Sequence, residues 1–355
     1  MQGRYVTIGL CSSLLLLSFL GVSLAHHARM HSGNMRAMIL ALAVDPVRPQ
    51  VLYTGSFGRG VFKTTDGGKL WGAINDGLEN LYVRTLIIDP AQPATLYAGT
   101  DEGLFKSTNG GQQWVAMHNG LGKASIRCLL LDPAASTTIY VGTGGGVWQS
   151  TDGGESWQPR NHGLSHHDVR ALVLHPMHPR TLYAGTFGGV FESANGGQTW
   201  AAIDEGLDDK QVRVLALDAG EPATLYAGTA LGGIFKLSMP STRWVAANDG
   251  LVSRSVLALA ITSAPAPRLY AGTLDGIYTN GGDEGSWQSI KQRPRGLSTT
   301  TLTIDPVTPT TVYAGSGGLI FKSTDEAETW EDISKWVVNP QVLPGPAPAR
   351  PSAGQ

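Results

Sequence analysis

The chain has 355 residues, of which 15% are charged, and a formal net charge of -2 at pH 7. Nucleic-acid-binding proteins usually carry a concentrated basic excess, so this balance argues against a nucleic-acid partner. The 46 glycines and 20 prolines, with no long polar periodic segment, favour many short strands joined by tight turns.

Residues 1–25 have the pattern of a signal peptide. Arg4 precedes an apolar run over residues 6–24, and Ser23 and Ala25 are small residues at the positions that a signal peptidase reads. We therefore expect an exported protein, in a periplasm, a thylakoid lumen or the extracellular space. The run approaches the roughly 20 residues that span a bilayer. An uncleaved anchor is the alternative, and membrane association is expected only in that case.

Cysteines do not organise the predicted mature chain. Cys11 lies within the signal segment, which leaves Cys128 alone. A single cysteine provides no disulfide framework, so an exported protein of this kind has to be stabilised by core burial.

Tryptophan recurs at a nearly constant interval. The positions are Trp71, Trp114, Trp157, Trp200, Trp244, Trp287 and Trp330, with spacings of 43, 43, 43, 44, 43 and 43. A tyrosine keeps the same interval from Tyr53 to Tyr313. Periods in the forties are typical of arrays of helical pairs or of four-stranded propeller blades, and the local pattern has to decide between them.

Within the fourth unit the pattern predicts strands at residues 169–175, 181–186, 189–193 and 199–203. The first is apolar on both faces, as expected of an inner strand between neighbouring blades. Connections of a few residues permit only antiparallel neighbours. Seven such sheets arranged radially bury each other's faces. We therefore predict an all-β fold, a seven-bladed β-propeller of four-stranded antiparallel blades, over residues 35–338.

Two short segments flank the predicted propeller. Residues 26–34 are expected to form a flexible leader. Residues 339–355 are rich in proline, alanine and glycine and poor in large apolar residues, so we expect a disordered Pro-rich tail.

Five of the tryptophans end a repeated motif, as in STDGGESW at residues 150–157. Its acidic or amide residues are Asp66, Asn109, Asp152, Asn195 and Asp325, and its tryptophans are Trp71, Trp114, Trp157, Trp200 and Trp330. Such a stretch could be a catalytic loop or a turn in which Asp or Asn bonds to nearby backbone and glycine takes positive φ. Copies spaced around a ring cannot converge on one substrate. We interpret the motif as a structural turn whose tryptophan packs between blades.

The pattern Ser/Thr-x-Asp-x-Gly-x-x-Trp resembles the Asp box of the bacterial neuraminidase (BNR) repeat. The stretches TLYAGT and GLFKSTNGG resemble repeats of exported seven-bladed propellers of the photosystem II stability and assembly factor type. The resemblance covers residues 36–336. Sialidases, xyloglucanases, sortilin-like receptors and assembly factors all carry Asp boxes, so the resemblance implies a fold and leaves the function open.

A carbohydrate-active glycoside hydrolase, or a lectin-like sugar binder, is the alternative to a binding scaffold. Glycoside hydrolysis normally needs two carboxyl groups about 5 to 10 Å apart. The resemblance implies that a sialidase would carry an Arg-Ile-Pro segment, which this chain lacks. It also implies that xyloglucanases of this type work between two propellers, and one is predicted here. We therefore expect no enzyme activity.

An arginine occupies the same place in four consecutive units: Arg84, Arg127, Arg170 and Arg213. Strand order places them on the rim formed by the loops that enter the inner strands and by the turns between second and third strands, opposite the Asp boxes. Guanidinium groups there suit contacts with a carboxylate, a phosphate or an acidic protein segment. Alternatively, each arginine pairs with a neighbouring acid or carbonyl and holds the blades together.

Further residues of this rim break the glycine pattern and could supplement the arginines: Phe57, Arg59, Tyr82, Phe187, Asp101, Glu102 and Asp275. Exposed aromatics beside arginine are favoured in protein interfaces. His166, His167 and Asp168 could suggest a metal, but adjacent residues point apart and no third ligand is placed by the sequence. We expect no metal and no cofactor.

Together these observations predict an exported, non-enzymatic, monomeric propeller that binds a protein partner or complex, through an anionic segment of that partner. The residues support a binding module. A photosystem partner is implied by the resemblance alone.

Overall fold

The computed structural model describes residues 37–262, 267–281, 285–292 and 294–334. Within these ranges, 28 strands form seven antiparallel sheets of four strands each. The predicted signal peptide, leader and tail lie outside the described residues, so the domain limits stay predictions. No helix in the described ranges is long and apolar enough to cross a membrane.

Each blade runs from an inner to an outer strand. The inner strands are β1 (Ile39–Val44), β5 (Val83–Ile88), β9 (Ile126–Leu131), β13 (Val169–Leu174), β17 (Val212–Asp218), β21 (Val256–Ile261) and β25 (Thr299–Ile304). The second strands are β2 (Leu52–Ser56), β6 (Leu96–Thr100), β10 (Ile139–Thr143), β14 (Leu182–Thr186), β18 (Thr224–Thr229), β22 (Leu269–Thr273) and β26 (Val312–Ser316). The third strands are β3 (Gly60–Thr64), β7 (Gly103–Ser107), β11 (Gly146–Ser150), β15 (Gly189–Ser193), β19 (Ile234–Ser238), β23 (Gly276–Asn280) and β27 (Leu319–Ser323). The outer strands are β4 (Gly72–Ala73), β8 (Val115–Ala116), β12 (Gln158–Pro159), β16 (Ala201–Ala202), β20 (Val245–Ala246), β24 (Gln288–Ser289) and β28 (Glu331–Asp332).

The inner strands form a closed ring. Consecutive inner strands contact one another from β1 to β25, and β25 contacts β1. Every sheet consists of four strands that are consecutive in the chain, so over the described residues the ring closes without an exchanged strand. The chain is a seven-bladed β-propeller. The predicted fold class and blade count are confirmed.

Apolar packing joins the seventh blade to the first. Ile39 of the first blade lies in one buried cluster with Tyr313 and Ile320 of the seventh. The indole Nε1 of Trp71 donates a hydrogen bond to the carbonyl oxygen of Ile333 at 2.9 Å. The junction between the chain's first and last blades is therefore held by the same kinds of contact as those between consecutive blades.

The outer strands are shorter than predicted. In the fourth blade the sequence predicted a strand over residues 199–203, and the strand is Ala201–Ala202. The amide N–H of Trp200 donates to the carbonyl oxygen of His162, in the connection from the third blade, at 2.9 Å. A contact between blades thus replaces strand pairing at Trp200.

The motif STDGGESW forms the turn between β11 and β12. The Ser150 hydroxyl donates to Oδ1 of Asp152 at 2.7 Å and accepts from the Gly154 amide at 2.8 Å. The same carboxylate oxygen accepts from the Ser156 amide at 3.0 Å. The polar side chains of the motif are thus engaged within their own turn.

The tryptophan indoles fall into two groups. Trp71, Trp114, Trp200, Trp244 and Trp287 donate from Nε1 to the carbonyl oxygens of Ile333, Ile74, Arg160, Ile203 and Ala247, each in the preceding blade or connection. Trp157 and Trp330 donate instead to Gly154 and Ala327 of their own turns. The repeated tryptophan therefore forms a hydrogen bond between blades at five of seven described junctions.

Glycine is required where the chain enters the next blade. Gly163 has a φ of 84°, and a Cβ at this position would lie 2.2 Å from the carbonyl oxygen of Trp200. Gly67 has a similar φ of 75°, but nothing lies within 4 Å of a Cβ built on it. Substitutions at the two positions therefore distinguish the energetic cost of backbone strain from that of a packing clash.

Gly163→Ala should therefore destabilise the protein more than Gly67→Ala. Both substitutions incur about 1–2 kcal/mol for a left-handed backbone, and only Gly163→Ala adds about 1–3 kcal/mol for overpacking against a carbonyl. Urea unfolding followed by tryptophan fluorescence measures both losses. Equal losses would show that the junction at Trp200 tolerates a methyl group.

The Asp-box turn also predicts a pH dependence. Hydrogen bonds from the hydroxyls of Ser156 and Ser150 are the largest causes that lower the pKa of Asp152 to about 2. This pKa lies below the ordinary value of about 3.9, so the ionised carboxylate contributes stability above pH 3.9 and loses it as the pH falls to about 2. A ¹³C NMR titration of the Asp152 carboxyl group should show this low midpoint, and Ser156→Ala should raise it. An ordinary midpoint in the wild type would contradict the turn geometry.

Candidate binding surface

The two rims of the propeller carry different loops. The turn between β6 and β7 contacts the segment that enters an inner strand, because the Asp101 amide donates to the Tyr82 carbonyl at 3.1 Å. On the opposite rim, the Gly110 amide of an Asp box donates to the carbonyl of Ala94, between β5 and β6, at 2.8 Å. We call the first the arginine rim, since Arg84, Arg127, Arg170 and Arg213 lie at the start of their inner strands.

A β-bulge places these arginines. In all seven inner strands the register shifts at the second residue, which is skipped in the Cα pairing with the second strand. The bulged residues are Leu40, Arg84, Arg127, Arg170, Arg213, Leu257 and Thr300. Bulges re-aim side chains and recur beside functional sites. The bulge therefore carries arginine in four consecutive blades and a residue without charge in the other three.

Arg84 binds a carboxylate of its own blade. Its Nη2 donates to Oδ2 of Asp101 at 3.1 Å, and its Nε donates to the other oxygen. The hydroxyl of Ser125, which precedes β9, also donates to Asp101 at 3.1 Å. This pair therefore links the second blade to the third.

Arg127 and Arg170 share one carboxylate. Nε and Nη2 of Arg170 donate to the two oxygens of Asp168 at 2.7 and 2.9 Å, and Nη1 of Arg127 contacts Oδ1 of the same group. The ring of Phe187 lies 4.1 Å from Cζ of Arg170, a cation–π contact. Arg127 and Arg170 thus pair with a neighbouring acid, which is the structural alternative stated above. Both guanidinium groups contact the same carboxylate.

Arg213 differs from the other three. Its Nη1 donates to the hydroxyl of Ser255 at 2.9 Å, and no described carboxylate forms an ion pair with it. The side chain is buried, with 7% of the residue exposed. Burial, and then the charge of Arg170, lower the pKa of the Arg213 guanidinium, while Asp209 opposes the shift.

Phe57 and Tyr82 form an aromatic pair on the same rim. Their ring centroids lie 4.7 Å apart with an interplanar angle of 75°, and the residues are 37% and 42% exposed. Arg59, in the turn with Phe57, is half-buried, and its carbonyl accepts from the Asn75 amide group. The structure thus brings Phe57 and Tyr82 together and places Phe187 under Arg170.

The candidate metal residues His166 and Asp168 have different neighbours. His166 lies against Gly188, while Asp168 is engaged by the two arginines. No group of three or more His, Cys, Asp or Glu side chains in the described ranges is arranged to hold a metal ion.

Sequence reasoning missed the aliphatic residues of the arginine rim. Leu231, Val252 and Leu274 are 74%, 80% and 56% exposed. Their loops fall on this rim by strand order, so the repeat could have located them. Exposure depends on the conformation of the neighbouring loops and is not readable from the pattern.

No family model and no curated protein matches the chain. Among solved structures, an ancestral GH74 enzyme is similar with a TM-score of 0.70 and 19% identity, over 84% of this chain and 47% of that one. YCF48 bound to D1 peptide gives 0.63 and 17%, over 81% of this chain and 93% of that one. The extracellular domain of a two-component system from B. thetaiotaomicron gives 0.63 and 17%, over 83% and 39%.

These likenesses establish a shared propeller fold. The chain spans about half of the length of the GH74 enzyme, whereas it matches nearly the whole of YCF48. The neighbours therefore include enzymes, a peptide-bound propeller and an extracellular domain.

Asp168→Asn should destabilise the protein by about 1–3 kcal/mol, because two poorly exposed guanidinium groups lose their shared carboxylate. The matched control is Glu79→Gln, which removes an exposed ion pair with Lys123 and should cost less than about 1 kcal/mol. Thermal and urea unfolding of both variants give the comparison. A loss no larger than that of the control would show that Asp168 does not hold the arginines.

Proposed function

We propose that this protein is an exported, non-enzymatic scaffold that binds a protein partner or complex through its arginine rim. The observation that carries the proposal is the charge arrangement. Arginine occupies the same bulge in four consecutive blades, and in the described part of the chain Asp101 pairs with Arg84 while Asp168 pairs with both Arg127 and Arg170.

Three of the four arginines lie in the third to fifth blades. The carboxylate of Asp168 contacts both Arg127 and Arg170, and Arg213 donates a hydrogen bond to the hydroxyl of Ser255. Guanidinium groups that are partly removed from water bind carboxylates more strongly than exposed ones, because the local dielectric constant is lower. An acidic segment of a partner would complete the charge balance.

The aromatic pair supports recognition of a protein. Phe57 and Tyr82 are exposed and in contact with each other, and Tyr82 is two residues before Arg84 in the sequence. Arginine, tyrosine and tryptophan are enriched among the residues that contribute most to protein interfaces. A partner that contacts the arginines could cover the two rings as well.

The structural neighbours support a single propeller as a sufficient unit. YCF48 is matched over 93% of its chain and was solved bound to D1 peptide. Another neighbour is an extracellular domain, in line with the predicted signal peptide. We propose that this chain acts as an exported monomer.

The alternative is a carbohydrate-active hydrolase or sugar-binding protein, favoured by the likeness to a GH74 enzyme. A hydrolase needs two available carboxyl groups facing one sugar. On the arginine rim, guanidinium N–H groups occupy the oxygens of Asp101 and Asp168. This engagement favours the scaffold.

Affinity capture with the full-length protein tests the proposal. Changing all four arginines to Ala should reduce recovery of the partner from the native source at least tenfold, because one arginine that is an interface hot spot contributes about 2 kcal/mol or more, on the order of thirtyfold in affinity. Phe57→Ala with Tyr82→Ala tests the same rim without removing ion pairs. Arg48→Ala with Lys69→Ala removes two cations from the opposite rim and is the control.

Circular dichroism and thermal unfolding establish that each variant is folded. Unchanged recovery by both rim variants would overturn the proposal. Turnover of xyloglucan or a sialoside by the purified protein would establish the alternative.

A further inference from the structure

Arg213 lacks the partner that the equivalent arginines have. Arg84 and Arg170 both present the edge formed by Nε and Nη2 to a carboxylate. In Arg213, Nη1 is bound by Ser255, while Nε is buried and has no hydrogen-bond acceptor among the described residues. The edge that binds an acid in two other blades is therefore unfilled in the fifth.

The repeat shows why no acid is present. Arg84 is bound by Asp101, the residue that follows Thr100 at the end of β6. The equivalent residue of the fifth blade, after Thr229, is Ala230. The residues that precede inner strands β17 and β21 are Gln211 and Ser255, where the fourth blade has Asp168. Neither position that supplies an acid elsewhere supplies one to Arg213.

Asp209 does not fill this role. Its carboxylate is near enough to favour the charged form of Arg213. Its oxygens, however, accept hydrogen bonds from the amides of Leu231, Gly232 and Gln211, at 2.7, 2.8 and 3.0 Å. Asp209 thus fixes the loop that carries Leu231. A buried guanidinium without an acid in contact is costly, so a purely structural role does not explain Arg213.

Exposed aliphatic residues occupy the adjacent loops. Leu231 lies between β18 and β19, Val252 between β20 and β21, and Leu274 between β22 and β23, all strongly exposed. The Gly233 amide donates to the carbonyl of Arg254 at 3.0 Å, which joins the first two loops. Exposed apolar residues that share one face are characteristic of interaction sites.

We infer that Arg213 and Ser255 bind a carboxylate of the partner, and that the neighbouring aliphatic loops contact an aliphatic side chain beside it. The incoming group takes the place at Arg213 that Asp101 has at Arg84. This inference rests on the proposed function and specifies its ligand as a peptide carboxylate next to an aliphatic residue. The carboxylate can belong to an acidic side chain or to a chain terminus.

Three small probes distinguish these sources. N-acetyl-leucine offers a terminal carboxylate, N-acetyl-Glu-Leu-amide offers a side-chain carboxylate, and N-acetyl-Gln-Leu-amide offers neither. The ¹H–¹⁵N signal of Arg213 Nε–H reports binding and is assigned by its loss in Arg213→Leu. This variant is expected to fold, because Leu40 and Leu257 occupy the same bulge in two other blades. Arg84→Leu, at the arginine already bound by Asp101, is the matched control.

At millimolar concentration, at least one carboxylate probe should shift the Arg213 signal, in the wild type and in Arg84→Leu, and the glutamine probe should not. Changing Leu231 and Leu274 to Ser should weaken the response by about fivefold, from the loss of apolar contact. A response to one carboxylate probe identifies its source, and a response to both supports the shared chemistry. An unchanged signal with both carboxylate probes would overturn the inference.

Thermal unfolding separates binding from structure. Without a probe, Arg213→Leu should be at least as stable as the wild type, since it removes a buried charge that has no contacting acid. A clear decrease in its melting temperature would establish a structural role and contradict the inference. If the probes leave Arg213 unchanged while partner capture still depends on the arginine rim, the carboxylate site is wrong and the scaffold stands. If the probes bind but partner capture does not depend on the arginine rim, the proposed scaffold function is wrong and the carboxylate site stands.

Discussion

The structure depends on the burial of each blade between two others. A blade of four short strands has two apolar faces, and neither can be covered by the blade itself. The buried clusters accordingly combine residues of adjacent blades, as Val61 with Phe105 and Ile39 with Tyr313 do. Because the last blade covers the first, every blade packs its apolar faces against two neighbours. No disulfide joins the described residues, among which Cys128 is buried.

This constraint divides the two rims. On the Asp-box rim, hydroxyl, carboxylate and amide groups are used within each turn, and the tryptophans join the blades. Five of the seven units keep the motif. On the arginine rim, every inner strand has a bulge at its second residue, and the seven bulges carry four arginines, two leucines and a threonine.

The four arginines differ in the groups that contact them. Asp101 and Asp168 reduce the cost of bringing guanidinium groups together, and Phe187 supports Arg170. The fifth blade departs from this arrangement, with Ala230 where Asp101 lies in the second. Arg213 donates to the hydroxyl of Ser255, whereas Arg84 binds the carboxylate of Asp101.

The sequence by itself determined the fold class, the number of blades, the order of strands and the rim on which the arginines lie. These properties follow from a period of about 43 residues and from short local patterns that repeat in every unit. Only the tertiary structure decided that Arg127 and Arg170 share Asp168, that Arg213 contacts no acid, that Trp157 bonds within its own turn, and that the outer strands are two residues long. Each of these depends on contacts between blades or on the exact placement of adjacent loops. A repeat determines the position of a residue within its blade. The group that this residue contacts depends on the loop or blade that packs against it.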